Sequence, residues 1–144
     1  MSTNCELCQQ EGGEVLWRND KLRVILADEA QYPGFCRIVW NAHVQEMTDL
    51  PAAERDYLMH AVWVLESVVR EVMQPDKINV ASLGNVVPHL HWHVIPRYRD
   101  DAHFPAPLWA AAQRQTDADV LQARREKLDA LRRAVNAAMN SLAH

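Results

Sequence analysis

The segment His89-Leu90-His91-Trp92-His93-Val94-Ile95-Pro96-Arg97 constrains this chain more than any other. Read as a strand, it puts His89, His91 and His93 on one face and Leu90, Trp92 and Val94 on the other. The apolar set asks for a core on one side of a sheet, and Pro96 closes the strand. Three imidazoles in a row on the opposite face are costly unless they have partners. A solvated polar face without chemistry is the plain alternative. Against it, four of the seven histidines, counting His43, fall in two short segments with matching context. Two chemistries then compete. The three histidines serve as metal ligands, since neutral imidazole is the commonest nitrogen ligand for zinc and similar metals. Alternatively, one imidazole attacks phosphorus as a covalent nucleophile while its neighbours orient it and the phosphate. The second needs a bare attacking nitrogen, with the other ring nitrogen held as a donor to a fixed acceptor.

The rest of the chain supplies the sheet. Val15-Leu16-Trp17 and the Leu22–Leu26 alternation flank the polar pair Asn19-Asp20, which predicts two short strands around a turn. Pro33-Gly34 breaks the chain before a third strand at Phe35–Trp40. Asp49-Leu50-Pro51 opens a helix, because proline suits the first helical turn. Tyr57, Leu58, Ala61, Val62, Leu65, Val68, Val69, Val72 and Met73 recur at helical spacing until Pro75 stops the run. Ile78 to Ala81 reads as a strand, and Gly84 permits a turn. From Asp117 onward a second helix is expected. There Leu121, Leu128, Val135 and Leu142 repeat every seven residues, with Leu131 and Ala138 between, a stripe suited to this domain or to a second subunit. The fold class is α+β. A length of 144 residues fits one domain.

Composition removes several classes of function. Hydrophobic residues make up 49% and charged residues 24%, which excludes a disordered or disulfide-dense chain. A formal net charge of −4 without a Lys/Arg run argues against a nucleic acid held by its phosphate backbone. The three cysteines, Cys5, Cys8 and Cys36, show no disulfide-like spacing and point to a reducing compartment. The N-terminus lacks signal-peptide character. No segment nears the roughly 18 apolar residues of a membrane span. A cytoplasmic location without membrane contact is expected.

His-Leu-His-Trp-His-Val-Ile resembles the histidine triad pattern of the HIT superfamily of nucleotide hydrolases and transferases. The resemblance extends over most of residues 5 to 99, including Cys5-Glu-Leu-Cys8, Leu22–Asp28, Pro33 to His43, and Ile78-Asn79 through Gly84-Asn85. It implies a five-stranded antiparallel sheet with one long helix, plus a C-terminal helix here, paired as a two-fold homodimer. The expected division is a HIT domain at 1–110 and an amphipathic extension at 111–144. By resemblance His91 is the nucleophile that forms a nucleotidyl-phosphoramidate, which water then hydrolyses. His93 donates to the phosphate, Asn79 holds a phosphate oxygen, and Asp28 accepts the ribose hydroxyls. A turn-capping role is the plain reading of Asp28. The family usually has Gly-Gln where this chain has Gly84-Asn85, so Asn85 contacts the leaving group with a shorter amide. Val86 stands where the Hint branch often has a hydroxyl residue.

Cys5-x-x-Cys8 alone is a metal half-site or a chance pair. Resemblance to the zinc-bearing HIT proteins and the galactose-1-phosphate uridylyltransferases supplies His43 and His89 as the other two ligands. A closed Cys2His2 shell leaves no open position for water, so the implied zinc is structural. The alternative is a metal-free hydrogen-bonded pair of His43 and His89. Cys36 reads as a small buried hydrophobe. Trp17, Trp40, Trp63 and Trp92 read as core or dimer packing, with nucleobase stacking an option for Trp17. Trp109 is a candidate cleft residue. Arg97 and Arg99 are phosphate attractors or solvated arginines, and His60, His103 and His144 are surface or helix histidines. The implied activity is hydrolysis of a nucleoside phosphoramidate or dinucleoside polyphosphate. A nucleotidyl transferase using phosphate, a non-catalytic zinc-stabilised nucleotide-binding or interaction protein, and a catalytic metal on all three histidines are the rivals.

Overall fold

The computed structural model describes residues 4–142, so His144 lies outside the described residues. A short helix α1 (Glu6–Gln9) precedes strands β1 (Glu14–Arg18), β2 (Leu22–Leu26) and β3 (Cys36–Trp40). After a 3-10 turn at Met47–Asp49 come the long helix α2 (Ala52–Met73) and strands β4 (Lys77–Ala81) and β5 (His91–Arg97). Helices α3 (Ala118–Arg125) and α4 (Leu128–Asn140) follow. The strands form one antiparallel five-stranded sheet in the order β1-β2-β3-β5-β4. The histidine strand is therefore interior to the sheet. His93 lies opposite Arg37 of β3 and Ala81 of β4, and His91 lies opposite Val39.

Strand alternation divides the labour between the two faces. Val24, Ile38 and Val94 meet the buried stripe of α2, formed by Leu58, Ala61, Val62, Leu65, Val69 and Met73. Leu131, Val135 and Met139 of α4 complete this core. The opposite face carries two smaller clusters. Cys5 and Leu7 pack on Ile25 and Val39 at one end, while Tyr32 and Phe35 pack on Ile95 at the other. Arg37, His91 and His93 share the parity of this second face.

Proline and glycine act where the sequence puts them. Pro51 is the N-cap of α2, and Gln74 adopts a left-handed C-cap (φ 49°) just before Pro75. Gly34 has φ +91°, and a Cβ there would meet Met73 Cγ at 2.9 Å, so the turn into β3 needs glycine on both counts. Gly84 makes its turn at φ +82°.

Three expectations are corrected. First, β5 begins at His91, and His89 stands ahead of it, with its ring against Cys5 of the knuckle. Second, Pro96 lies inside β5, opposite Ile78. The Arg97 carbonyl accepts from Asp76 N on the β4 side, so the Pro96 nitrogen faces the other side. Pairing with β3 has already ended there, at Cys36↔Val94, and the missing N–H costs no ladder bond. Third, the C-terminal helix is two helices. Asp117 caps α3 by accepting from Asp119 N (2.8 Å), and the chain bends at Glu126–Lys127. The two pieces serve different neighbours. Arg124 of α3 pairs with Asp100 and stacks on Tyr98, whereas α4 packs on α2 and β1 of its own domain. No helix among the described residues is long and apolar enough to cross a membrane.

Candidate active site and metal centre

The N-terminal knuckle is built around Cys5. Its sulfur caps α1 by accepting from Cys8 N at 3.2 Å, which turns Cys5 and Cys8 to one side. His43 follows β3, and His89 arrives from the loop before β5. Cys5 Sγ lies 3.2 Å from His89 Nδ1, Cys8 Sγ lies 3.3 Å from His43 Nδ1, and the two Nδ1 atoms are 3.3 Å apart. All four ligand atoms fall within 4.8 Å of one another. A tetrahedral zinc with ordinary Zn–N and Zn–S lengths has ligand-to-ligand edges of about 3.3–3.8 Å, so the donor set fits such an ion. His89 is 1% exposed, and its Nε2 donates to the Trp40 carbonyl at 2.6 Å. That bond leaves Nδ1 bare toward the sulfurs, the outer-shell arrangement expected behind a metal-binding histidine.

His91 and His93 lie between the two clusters on the second sheet face, at a cavity of about 500 Å³. Its wall comprises Glu6, Leu7 and Gly12 from the knuckle, Arg37 from β3, the loop at 83–87, and Trp109. The two rings meet edge to face, with centroids 5.1 Å apart. His91 Nδ1 is 2.5 Å from the His89 carbonyl oxygen. A carbonyl only accepts, so Nδ1 carries the proton and Nε2 holds a lone pair. Among the described residues Nε2 has no protein hydrogen-bond partner, and the His91 residue lines the cavity.

His93 has the reverse assignment. The Arg37 Nε–H points at His93 Nδ1 from 3.3 Å, so Nδ1 is bare and the proton sits on Nε2. Burial, the neighbouring His91 and the Arg37 charge together push the His93 pKa down to about 4. It is therefore uncharged at neutral pH. A bare nitrogen on one ring beside an N–H on the next is the pairing that attack on an acceptor oxyacid requires.

The other candidates fall in different places. Asn85 lines the cavity, and Trp109 lies 5.6 Å from the His93 ring. Asp28 and Asn79 are not on the cavity wall. Asp28 stands beyond the end of β2, in a groove with Arg125 and Arg132 of the C-terminal helices. Asn79 lies opposite Ile95, one strand repeat past the Ala81–His93 pair, and its Oδ1 accepts from Arg97 Nη1 at 2.8 Å. Arg97 is buried and occupied by Asp101, so it is neither solvated nor free for phosphate. Arg99 is exposed. His103 is held by Tyr32, whose hydroxyl lies 2.6 Å from its Nδ1, and His60 lies edge-on to the exposed Trp63. Trp40 is in the core, and Trp17 donates to Asn140 of α4, away from the cavity. Cys36 is buried, with its thiol pushed up to about 12.

Sequence reading passed over Arg37, Asp101 and Ser82. Arg37 had a signal, as a charge between the apolar Cys36 and Ile38 in a strand. Asp101 accepts from Arg97 and from the Tyr98, His103 and Phe104 amides, but nothing local separates it from the exposed Asp100. Ser82 Oγ donates to the His91 carbonyl at 2.7 Å and pins the cavity loop to β5.

Fold and site together define a histidine triad protein, and the comparisons agree. The HIT domain family profile matches residues 9–100, and the chain belongs to that family. A curated AP-4-A phosphorylase of Mycobacterium tuberculosis is 31% identical over 100 residues, which cover 65% of this chain and 51% of the relative. The chain thus spans about half the length of that relative. A crystal structure of a histidine triad protein from Marinobacter aquaeolei VT8 superposes with a TM-score of 0.73 at 26% identity, covering 99% of each chain. A Zn-bound histidine triad family protein from Mycobacterium smegmatis shares the fold at a TM-score of 0.60 and 20% identity, over 96% of each chain.

Proposed function

We propose that this protein is a nucleotide hydrolase or nucleotidyl transferase that works through a covalent His91 intermediate on a nucleoside phosphoramidate or dinucleoside polyphosphate. The observation that carries this reading is the bond from His91 Nδ1 to the His89 carbonyl, which leaves Nε2 bare in the cavity. In the first step Nε2 attacks the α-phosphorus. The new P–N bond forms as the bond to the leaving group breaks, and the leaving group departs with that electron pair. His93 Nε2–H donates to a phosphate oxygen and stabilises the charge that develops there. In the second step water or phosphate attacks the same phosphorus, the P–N bond breaks, Nε2 recovers its lone pair, and the proton of an attacking water passes through solvent to the departed leaving group. Asn85 reaches the leaving group from the loop. The exposed Leu83, Val86 and Trp109 beside the cavity offer apolar surface for a nucleobase.

Cys5, Cys8, His43 and His89 would hold a structural zinc, which crosslinks the knuckle to the segment entering β5. The resemblance that names the M. tuberculosis relative as an AP-4-A phosphorylase supports diadenosine tetraphosphate as a substrate to try first. Asp28 and Asn79 remain ribose and phosphate contacts only if a bound substrate extends past the cavity wall. A second copy across an exposed edge strand completes the proposal, since Val80 of β4 and Trp63 of α2 are 41% and 66% exposed.

The acceptor is decided by product analysis with diadenosine tetraphosphate and adenosine phosphoramidate, each with and without inorganic phosphate. Hydrolysis yields AMP from both substrates whether or not phosphate is present. Phosphorolysis yields ADP only when it is added. No product from either compound, with nucleotide still bound in calorimetry, would overturn the catalytic reading in favour of a binding protein.

A further inference from the structure

We propose that Arg37 is a positioning residue that holds His93 in the neutral form with its proton on Nε2, the form that donates into the cavity. The inference deepens the proposed function and rests on its reading of His91 and His93. A guanidinium has donors and no acceptor. Its contact with His93 Nδ1 at 3.3 Å is therefore a hydrogen bond only when that nitrogen is bare. Register makes the contact direct, because Arg37 and His93 are opposite residues of β3 and β5.

The guanidinium is itself held on two further sides. Its Nη1 donates to the Gly12 carbonyl at 3.5 Å, and its central carbon sits 4.9 Å from the centroid of the buried Phe35 ring. Among the described residues no carboxylate lies within ion-pair distance of it. Glu29 and Glu6 act on the Arg37 charge only from beyond that distance, so the charge also bears on His93, where a second positive charge is disfavoured. The titratable and charged groups facing His93 are Arg37 from β3 and His91 from its own strand, with Glu6 of α1 on the same cavity wall. Phe35 and Trp109, also against the ring, carry no charge. The arrangement leaves His93 one way to bond, with Nδ1 accepting from β3 and Nε2–H available to substrate.

The test is a long-range proton–nitrogen spectrum of ¹⁵N-histidine-labelled protein, read beside steady-state kinetics, for wild type, Arg37→Met and Arg37→Lys. In wild type, His93 Nδ1 is an unprotonated acceptor and Nε2 is protonated. In Arg37→Met the Nδ1 resonance moves to that of an unbonded nitrogen, and the pH at which His93 charges rises. There kcat falls on the order of 10- to 100-fold, with a smaller change in KM. Arg37→Lys retains a donor and a charge, keeps Nε2–H and recovers most of kcat, which a purely structural role for Arg37 does not predict. A wild-type His93 protonated on Nδ1 overturns the proposal. So does an Arg37→Met protein whose Nδ1 resonance and kcat are both unchanged. A wild type that turns over no nucleotide while the spectra respond as described refutes the catalytic reading and leaves the Arg37–His93 lock standing.

Discussion

Each of the triad's three histidines is set by a single partner. Trp40's carbonyl bares Nδ1 of His89, His89's carbonyl bares Nε2 of His91, and Arg37 bares Nδ1 of His93. Residue types alone made the chemistry legible, whereas the proton positions depend on register and loop path. The same limit hides Asp101. It is fully buried, with Arg97 and three backbone amides as donors, and these hold its carboxyl down to about 2 despite burial. Replacing Asp101 with alanine leaves Arg97 charged and without its counter-ion in the interior, at a cost of about 3–5 kcal/mol, read from urea denaturation. Because the folded pKa lies below the ordinary carboxylate value of 3.8, this stabilisation is complete above that value. It is lost as pH falls toward about 2. Asp101→Asn should therefore flatten the acid limb of stability between those values. An acid limb identical to wild type would count against this assignment.

At the scale of elements, the knuckle and the strand it touches behave as one device. Arg23, 5% exposed, donates to the carbonyls of Leu7, Gln10 and Glu11 and to Asn41, tying the end of α1 to β2 and β3 beside the candidate metal ligands. His89 contributes its ring to the Cys5, Cys8 and His43 cluster and its carbonyl to His91. Removing a metal bound by that cluster should therefore loosen α1 and disturb His91 together. Chelation, or His43→Ala, should lower the thermal midpoint by several degrees, in line with about 2–4 °C per kcal/mol for a domain of this size. It should also speed amide exchange at Cys8 to Gln10. A midpoint unmoved by chelation of metal-loaded protein would contradict the link. The turn into β3 is equally specific. Gly34→Ala must adopt φ +91° and crowd Met73, and should cost roughly 1–3 kcal/mol in a chemical melt. The helix stops and β-alternation were readable because Pro51, Pro75 and the apolar spacing act locally. The bend at Glu126–Lys127 was not, since it follows from where the Asp100 loop and α2 sit in space.

For the whole molecule, one sheet face holds the core under α2 and α4, and the other holds the chemistry between two small clusters. That division was visible in the parity of β5, and His89, just ahead of the strand, serves the knuckle packed on the same face. Asp28 and Asn79 mark the opposite case, where family resemblance named residues that the fold sets off the cavity wall. The exposed β4 edge with Val80, together with the exposed Trp63 of α2, predicts a dimer. Trp63→Glu should shift sedimentation toward the monomer, while an unchanged sedimentation coefficient would place the interface elsewhere. The central claim, that His91 Nε2 is the nucleophile, is tested most directly by intact-protein mass spectrometry after a rapid acid-free quench with diadenosine tetraphosphate or adenosine phosphoramidate. The account predicts a mass gain of one adenosine monophosphate on wild type and none on His91→Ala. Turnover that persists in His91→Ala, with no adduct on either protein, would contradict it.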